Sequence, residues 1–172
     1  MERDDLMPKL EVFFDYACPY CYRGHKNLME LLPDFPEIEA LWRPCEAHPR
    51  PDWYGTHSDL CIQGMFFAMD QKTDLLSYHE RMYDLIHNQH VNVENISVLV
   101  ANTADLLEIG AFREALVSEN YRQIQQEANV YAFNQNSVRV VPAYRMDGRR
   151  LDSVEDIGVT KAQLRAFLNI AR

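Results

Sequence analysis

The first apolar run, Leu-Glu-Val-Phe-Phe-Asp at residues 10–15, is rich in strand formers and is broken sharply by Tyr-Ala-Cys-Pro. That pattern predicts a strand ending in a turn. Pro19 suits the first position of a helix, where its missing N–H has no partner to lose. Tyr22, Leu28, Met29 and Leu32 then recur at helical spacing until Pro33 and Pro36 stop the pattern. Cys18 is thereby placed at a helix N-terminus. Residues 37–43 alternate Ile38, Ala40 and Trp42 with polar or larger neighbours, which predicts a second strand, closed by the Pro-rich stretch 44–51.

From about residue 53 to residue 134 the periodicity is helical and no strand interrupts it. Ser77 and Glu80 have capping-box spacing, and Asn95 suits an N-cap. Tyr78, Met82, Leu85 and Ile86 mark one apolar face. Ile96, Leu99, Val100, Thr103, Leu106 and Leu107 mark a second, ending near Gly110, and a third long helix is expected from about Ala111. Such stripes are read as core packing rather than as a cofactor site.

After Asn136 the chain reads Ser-Val-Arg-Val-Val-Pro-Ala-Tyr-Arg-Met, then Asp147-Gly148, then Arg-Arg-Leu, which suits a hairpin with a two-residue turn. Thr160 and Gln163 form a further capping box. Val159 can staple onto Leu164, and Leu164, Phe167, Leu168 and Ala171 give the last helix its apolar stripe. The order is βαβ, helices, ββα, an α/β chain. Its length of 172 residues suits one domain, 1–172, with a core from about 8–50 and 135–172 and a helical insertion at about 53–134.

Composition narrows the partners. Hydrophobic content of 47% with 25% charged residues is ordinary for a globular protein and gives no membrane signature. A formal charge of −9 with scattered basic residues argues against nucleic acid, whose phosphates call for clustered Lys and Arg. The amino terminus, Met-Glu-Arg-Asp-Asp-Leu, is acidic where a signal peptide is basic, so a cytoplasmic location is expected. Four cysteines in that compartment point to catalysis more than to structural disulfides.

The pair Cys18-Pro-Tyr-Cys21 carries the chemistry. Disulfide exchange needs a thiolate, and a free cysteine with a pKa of about 8.5 is mostly protonated at neutral pH. A helix N-terminus favours the anion through its unpaired N–H groups and dipole, so Cys18 reads as nucleophile. Cys21, three residues on, reads as the resolving thiol. Cys18, Cys21, Cys45 and His48 also have the ligand types of a zinc site, against which Pro19 and the helix after it favour redox use. Cys45 and Cys61 otherwise read as buried, unreactive thiols. His25, at helical spacing from both cysteines, and Asp15, just before the motif, are candidate accessory groups. A packed histidine and a turn aspartate are the alternatives.

The string Asp15-Tyr-Ala-Cys-Pro-Tyr-Cys-Tyr-Arg-Gly24 resembles the D-x-x-C-P-W-C-Y-x-G signature of the DsbA-like family that includes FrnE-type oxidoreductases and 2-hydroxychromene-2-carboxylate isomerases. Arg43-Pro-Cys-Glu-Ala-His-Pro49 is similar to that family's R-P-F-x-L-H-P segment, and Val141-Pro142 to its hydrophobic residue before a cis-proline. The resemblance implies a thioredoxin-like fold split by a helical insertion. It also implies that Val141 and Pro142, with Pro19 and Tyr20, bind substrate, Val141 through strand addition to an extended peptide. Two residues depart from the pattern: Cys45 stands in place of Phe, and Tyr20 in place of Trp. Pro-Tyr between cysteines also occurs in glutaredoxins, from which the insertion distinguishes this chain.

The leading expectation is a disulfide oxidoreductase acting on a disulfide- or thiol-containing protein or small molecule. No bound cofactor or metal is expected, and glutathione or another thiol is a possible co-substrate. The alternatives are a glutathione-dependent isomerase or transferase, which has no use for Cys21, and a zinc-binding or chaperone-like module.

Overall fold

The computed structural model describes residues 7–169. The opening apolar run forms β1 (Lys9–Phe14), with Leu10, Val12, Phe13 and Phe14 all buried. Burial on both faces is what a central strand requires. β1 pairs in parallel with β2 (Glu39–Pro44) and antiparallel with β3 (Ala143–Met146), and β4 (Arg149–Asp152) completes the sheet in the order β2-β1-β3-β4. The register sets Val12 opposite both Trp42 and Tyr144. β1 stops one residue short of the predicted end, because Asp15 turns its carboxylate onto the Ala17 N–H two residues on.

α1 (Pro19–Leu31) begins as expected, with Cys18 in extended conformation at the N-cap and Pro19 next. Its buried face is Cys21, Gly24, His25, Leu28 and Leu31. That stripe is rotated from the one predicted, since Tyr22, Met29 and Leu32 are only partly buried. Gly24 is what lets α1 approach the sheet: a Cβ there would lie 2.9 Å from the Tyr144 hydroxyl and 3.2 Å from Pro142. At the far end of α1, Glu30 and Asp34 form ion pairs with Lys161 and Arg165 of α7 (Lys161–Asn169).

Between β2 and β3 come five helices, whose boundaries differ in part from the predicted ones. α2 (Asp59–Asp70) is followed by α3 (Leu75–His87), which starts ahead of the expected Ser77 cap. Asp74 is its N-cap, and the Ser77 hydroxyl donates to the Asp74 carboxylate instead (2.6 Å). Asn95 caps α4 (Ile96–Ala101) as predicted, accepting from the Val98 N–H. The apolar stripe running on to Leu107 is nevertheless split. The Thr103 hydroxyl reaches back to the Leu99 and Val100 carbonyls, 3.1 Å from each. The chain then enters α5 (Ile109–Val117), where Glu108 accepts from the Gly110 and Ala111 N–H groups. Gly110 therefore opens a helix rather than closing one. In place of one long helix after Ala111 there are α5, α6 (Arg122–Asn129) and a π-helical turn at Val130–Gln135.

The carboxy-terminal strands return later than expected: β3 starts at Ala143, immediately after Pro142, which has no N–H to give a ladder. The Val141–Pro142 peptide is cis. Asp147 and Gly148 form the predicted two-residue turn, both with positive φ (51° and 75°). Thr160 and Gln163 make the reciprocal capping box, at 2.9 and 3.1 Å. Ala171 lies outside the described residues. Among those residues no helix is long and apolar enough to cross a membrane.

The helices are closely fitted at Gly64 of α2. A Cβ there would stand 2.1 Å from the Tyr78 hydroxyl and 2.9 Å from Phe112. The hydroxyl cannot withdraw easily, because it donates to the Cys61 carbonyl (2.6 Å) inside the core. Gly64→Ala is expected to destabilise by about 1–3 kcal/mol through overpacking. Urea denaturation should show a lower midpoint with an unchanged m value.

Candidate active site

The turn between β1 and α1 is organised by Asp15, a buried carboxylate. One oxygen accepts the Ala17 N–H (2.9 Å) and the other the Ala47 N–H (2.7 Å), tying the turn to the segment after β2. The Asp15 N–H points to Cys21 Sγ (3.4 Å), and its carbonyl accepts the Cys18 N–H (3.1 Å). Burial raises the Asp15 pKa, opposed by Ser58, by the two backbone N–H donors and by His48.

The two motif cysteines occupy different surroundings. All four cysteines are free; Cys18 is half-buried, and Cys21, Cys45 and Cys61 are buried. The Cys18 pKa is lowered, chiefly by a hydrogen bond from the Cys21 thiol and further by the Cys21 and Tyr20 N–H groups, against partial burial and the Asp15 charge. Cys21 is pushed well above its ordinary range by burial, then by Cys18. Cys18 Sγ faces the Val141 carbonyl at 3.8 Å, just before the cis-proline. The sequence-predicted group Cys18, Cys21, Val141 and Pro142 is thus assembled from chain segments more than a hundred residues apart.

Cys18 lies in a groove of about 380 Å³ whose lining includes Tyr20, His48, Thr56, Arg139 and Val141. Pro19 lines it too. Tyr20 is held at the rim by its hydroxyl, which donates to the Asp156 carbonyl (2.9 Å), while Arg23 donates to the Ile157 carbonyl. Gly158, with φ of 81°, closes that contact; a Cβ there would be 3.2 Å from the Tyr20 ring and 2.7 Å from Arg23. The Ser153 hydroxyl donates to the Pro142 carbonyl (2.5 Å), fixing the proline from behind. Arg139, Thr56 and the 153–158 turn carry no motif, and only folding brings them to the cysteines.

His25 turns away from the groove into an aromatic cluster, its ring 5.3 Å from Tyr83 and 5.9 Å from both Trp42 and His79. Burial lowers its pKa to about 4 and that of His79 to about 3. Both rings are therefore neutral. Tyr16, just before the motif, shares a hydrogen bond with His79 (2.7 Å) in the same cluster. Cys45 is raised by burial, then by the charges of Asp15 and Cys18, and Cys61 likewise by burial. Among the described residues no group of three or more His, Cys, Asp and Glu side chains is disposed to hold a metal ion. A second cavity of about 440 Å³ opens beyond residues 46–50, between Glu46, Arg50, Gln63, Gln125 and Asn129. It is the more polar of the two, and no cysteine lines it.

Comparison with known proteins adds the family. A curated relative, the uncharacterized protein YwbO of Bacillus subtilis (strain 168), is 20% identical over 171 residues, covering 78% of this chain and 84% of that protein. Among solved structures, a probable DsbA oxidoreductase from Streptomyces coelicolor superposes with a TM-score of 0.81 at 14% identity, covering 95% of this chain and 89% of its own. Pseudomonas aeruginosa DsbA gives 0.68 at 17% identity, with 94% and 80% covered. The MdbA thiol-disulfide oxidoreductase of Actinomyces oris gives 0.64 at 18%, with 97% and 82% covered. These likenesses establish a DsbA-like thioredoxin fold. The model of the DSBA-like thioredoxin domain matches residues 9–165, from the first residue of β1 into α7. On a match of that extent, taking in all four strands and the paired cysteines, the chain belongs to the DSBA-like thioredoxin domain family.

Proposed function

We propose that the protein catalyses thiol-disulfide exchange with Cys18 as nucleophile and Cys21 as resolving thiol. The observation that carries this reading is the inequality of the two sulfurs. Cys18 faces a groove with its thiolate favoured, while Cys21 lies buried behind it as a neutral thiol donating to it. In the reducing direction the Cys18 thiolate attacks a substrate disulfide and expels one substrate sulfur as thiolate, which takes up a proton. Cys21 then loses its proton and attacks Cys18 Sγ, releasing the second substrate thiolate. The substrate gains two electrons, which the protein dithiol gives up as its two sulfurs join in the Cys18–Cys21 disulfide. The oxidising direction is the reverse.

The β1–β3 ladder ends at Ala143, so the backbone of Val140 and Val141 runs past it along the groove. That arrangement supports strand addition by an extended substrate, with Pro19 and Tyr20 on the surface around the reacting sulfur and Pro142 buried beneath it. The signature at Asp15–Gly24 supports placing the chain in the FrnE-type branch. Arg139 favours a second reading in one respect. It is an exposed guanidinium on the groove, suited to a carboxylate of a small thiol such as glutathione, as co-substrate or in an isomerase.

Cys18→Ser is expected to reduce turnover of a peptide disulfide to background. Cys21→Ser should accumulate a substrate adduct on Cys18, seen by intact-mass spectrometry. Full turnover by Cys21→Ser would instead favour the isomerase. The pH profile of Cys18 alkylation gives a separate check. Thiolate grows as pH rises through the pKa, so the wild-type midpoint should fall below that of an ordinary cysteine. Cys21→Ala, which removes the principal donor, should move the midpoint upward, and Cys21→Ser, which keeps a donor, should restore much of the difference. Because the folded pKa is depressed, Cys18 stabilises the reduced fold above its unfolded pKa. That stabilisation is lost as pH falls through the folded value.

A further inference from the structure

Trp53 is 90% exposed and Tyr54 49%, on the connection between β2 and α2. An exposed tryptophan on a loose loop needs no explanation, but this connection is not loose. Arg50 pairs with Asp59 (3.0 Å) and Glu94 (3.4 Å). His57 bridges from Nδ1 to the Glu94 carboxylate (2.6 Å) and from Nε2 to the Asp52 carbonyl (2.7 Å). Both partners can only accept, so the bridge has both ring nitrogens donating. Gly55, with φ of 78°, packs against His48, where a Cβ would come within 3.2 Å of the imidazole. These ties clamp the base of an arm, residues 50–57, and leave its two aromatic rings in solvent.

The arm points back to the groove. The Trp53 and Tyr54 rings lie edge to face (5.6 Å), and Tyr54 packs in the same way on His48 (4.6 Å). His48 and Thr56 line the groove together with Cys18. The 154–157 turn, which holds Tyr20 and lines the groove through Glu155 and Asp156, exposes Val154 (56%) and Ile157 (57%). Apolar surface is therefore exposed beside groove-lining residues on two separate segments, at 53–54 next to His48 and Thr56 and at 154–157 next to Glu155 and Asp156. A small thiol fills only the middle of such a site, whereas an extended chain crosses all of it.

We propose that the arm 50–57 is a docking element for an apolar side chain of a polypeptide substrate, Trp53 and Tyr54 receiving a residue near the cysteine whose disulfide Cys18 attacks. The proposal rests on the disulfide-exchange reading and adds to it a site of selection separate from the reacting atoms. Rigid aromatic side chains offer large contact area at little cost in conformational entropy, which is why Trp and Tyr dominate binding hot spots. The ties to Asp59, Glu94 and Asp52 supply that rigidity before the substrate arrives.

The test measures kcat and KM of the full chain on three disulfides: a short peptide with Phe two residues from its cysteine, the same peptide with Ser in place of Phe, and glutathione disulfide. Trp53→Ala should lower kcat/KM on the Phe peptide about tenfold through KM, as expected for loss of a hot-spot side chain. It should leave the Ser peptide and glutathione disulfide within about twofold, a margin under 0.5 kcal/mol. His57→Gln, which frees the arm without touching its rings, should act in the same direction on the Phe peptide alone. Equal rates of wild type and Trp53→Ala on all three overturn the docking role while leaving disulfide exchange intact. So does a parallel loss on glutathione disulfide. Wild type inactive on every disulfide refutes the underlying reading instead. Sedimentation at assay concentration completes the set: a Trp53-dependent dimer would make the arm a self-association surface and overturn the proposal.

Discussion

The geometry of the site depends on one buried group, the Asp15 carboxylate. Its two oxygens accept N–H groups from Ala17 and Ala47, one inside its own turn and one on the segment following β2. A buried acceptor left without a donor costs about 1–3 kcal/mol, so the Asp15 carboxylate, 2% exposed, holds both backbones in place. The Asp15 backbone meanwhile holds Cys18 through its carbonyl and faces Cys21 through its N–H. The neighbouring Glu46 is pinned to α6 by a reciprocal pair with Asn129, at 2.8 and 3.0 Å. The start of α1, the wall of the groove and the root of the aromatic arm thus share one anchor.

Beneath the cysteines the molecule is aromatic and uncharged. Tyr16, His25, His79 and Tyr83 pack together, with neutral imidazoles whose Nε2 atoms on His25 and His79 are buried without partners. Low-dielectric surroundings disfavour the anionic form of any thiol they enclose. Cys21 faces this floor, whereas Cys18 faces the groove, so residues three apart on one helix acquire opposite pKa shifts. The helix N-terminus alone does not account for the difference; the layer under it does.

Much of this was legible in the sequence where local chemistry decides conformation. Pro19 after Cys18, the Thr160–Gln163 box and the Asp147–Gly148 turn specify backbone geometry within a few residues, and each is found where the pattern places it. The helical boundaries failed for an equally local reason with competing solutions. Ser77 had a better partner in the Asp74 carboxylate than in a backbone N–H, and Thr103 could end α4 by bonding back to its own carbonyls. The buried stripe of α1 was misread because Gly24 and His25 belong to it. One is buried to admit Tyr144 and Pro142, the other to join an aromatic cluster, and neither residue type signals core. Arg139, Thr56 and the 153–158 turn had no local signal at all, since their role is set by long-range packing.

The reduction potential of such a site reflects the stability of the Cys18 thiolate relative to the disulfide, and here that stability is contested. Cys21 and two backbone N–H groups favour the thiolate, which favours the reduced form; partial burial and the Asp15 charge oppose it. Asp15 cannot be removed to shift the balance without freeing the Ala17 and Ala47 N–H groups, so structure and potential are coupled through one carboxylate. The aromatic arm shares that anchor at its root, where Ala47 is held by Asp15, but its further ties lie elsewhere. Arg50 ties it to Asp59 and Glu94, and His57 to Glu94 and, within the arm, to the Asp52 carbonyl; none of these is among the main influences on Cys18. On the proposed reading Trp53 and Tyr54 set substrate preference while Cys18 carries the electron chemistry, and the two meet at the neighbouring residues Ala47 and His48 of the segment after β2.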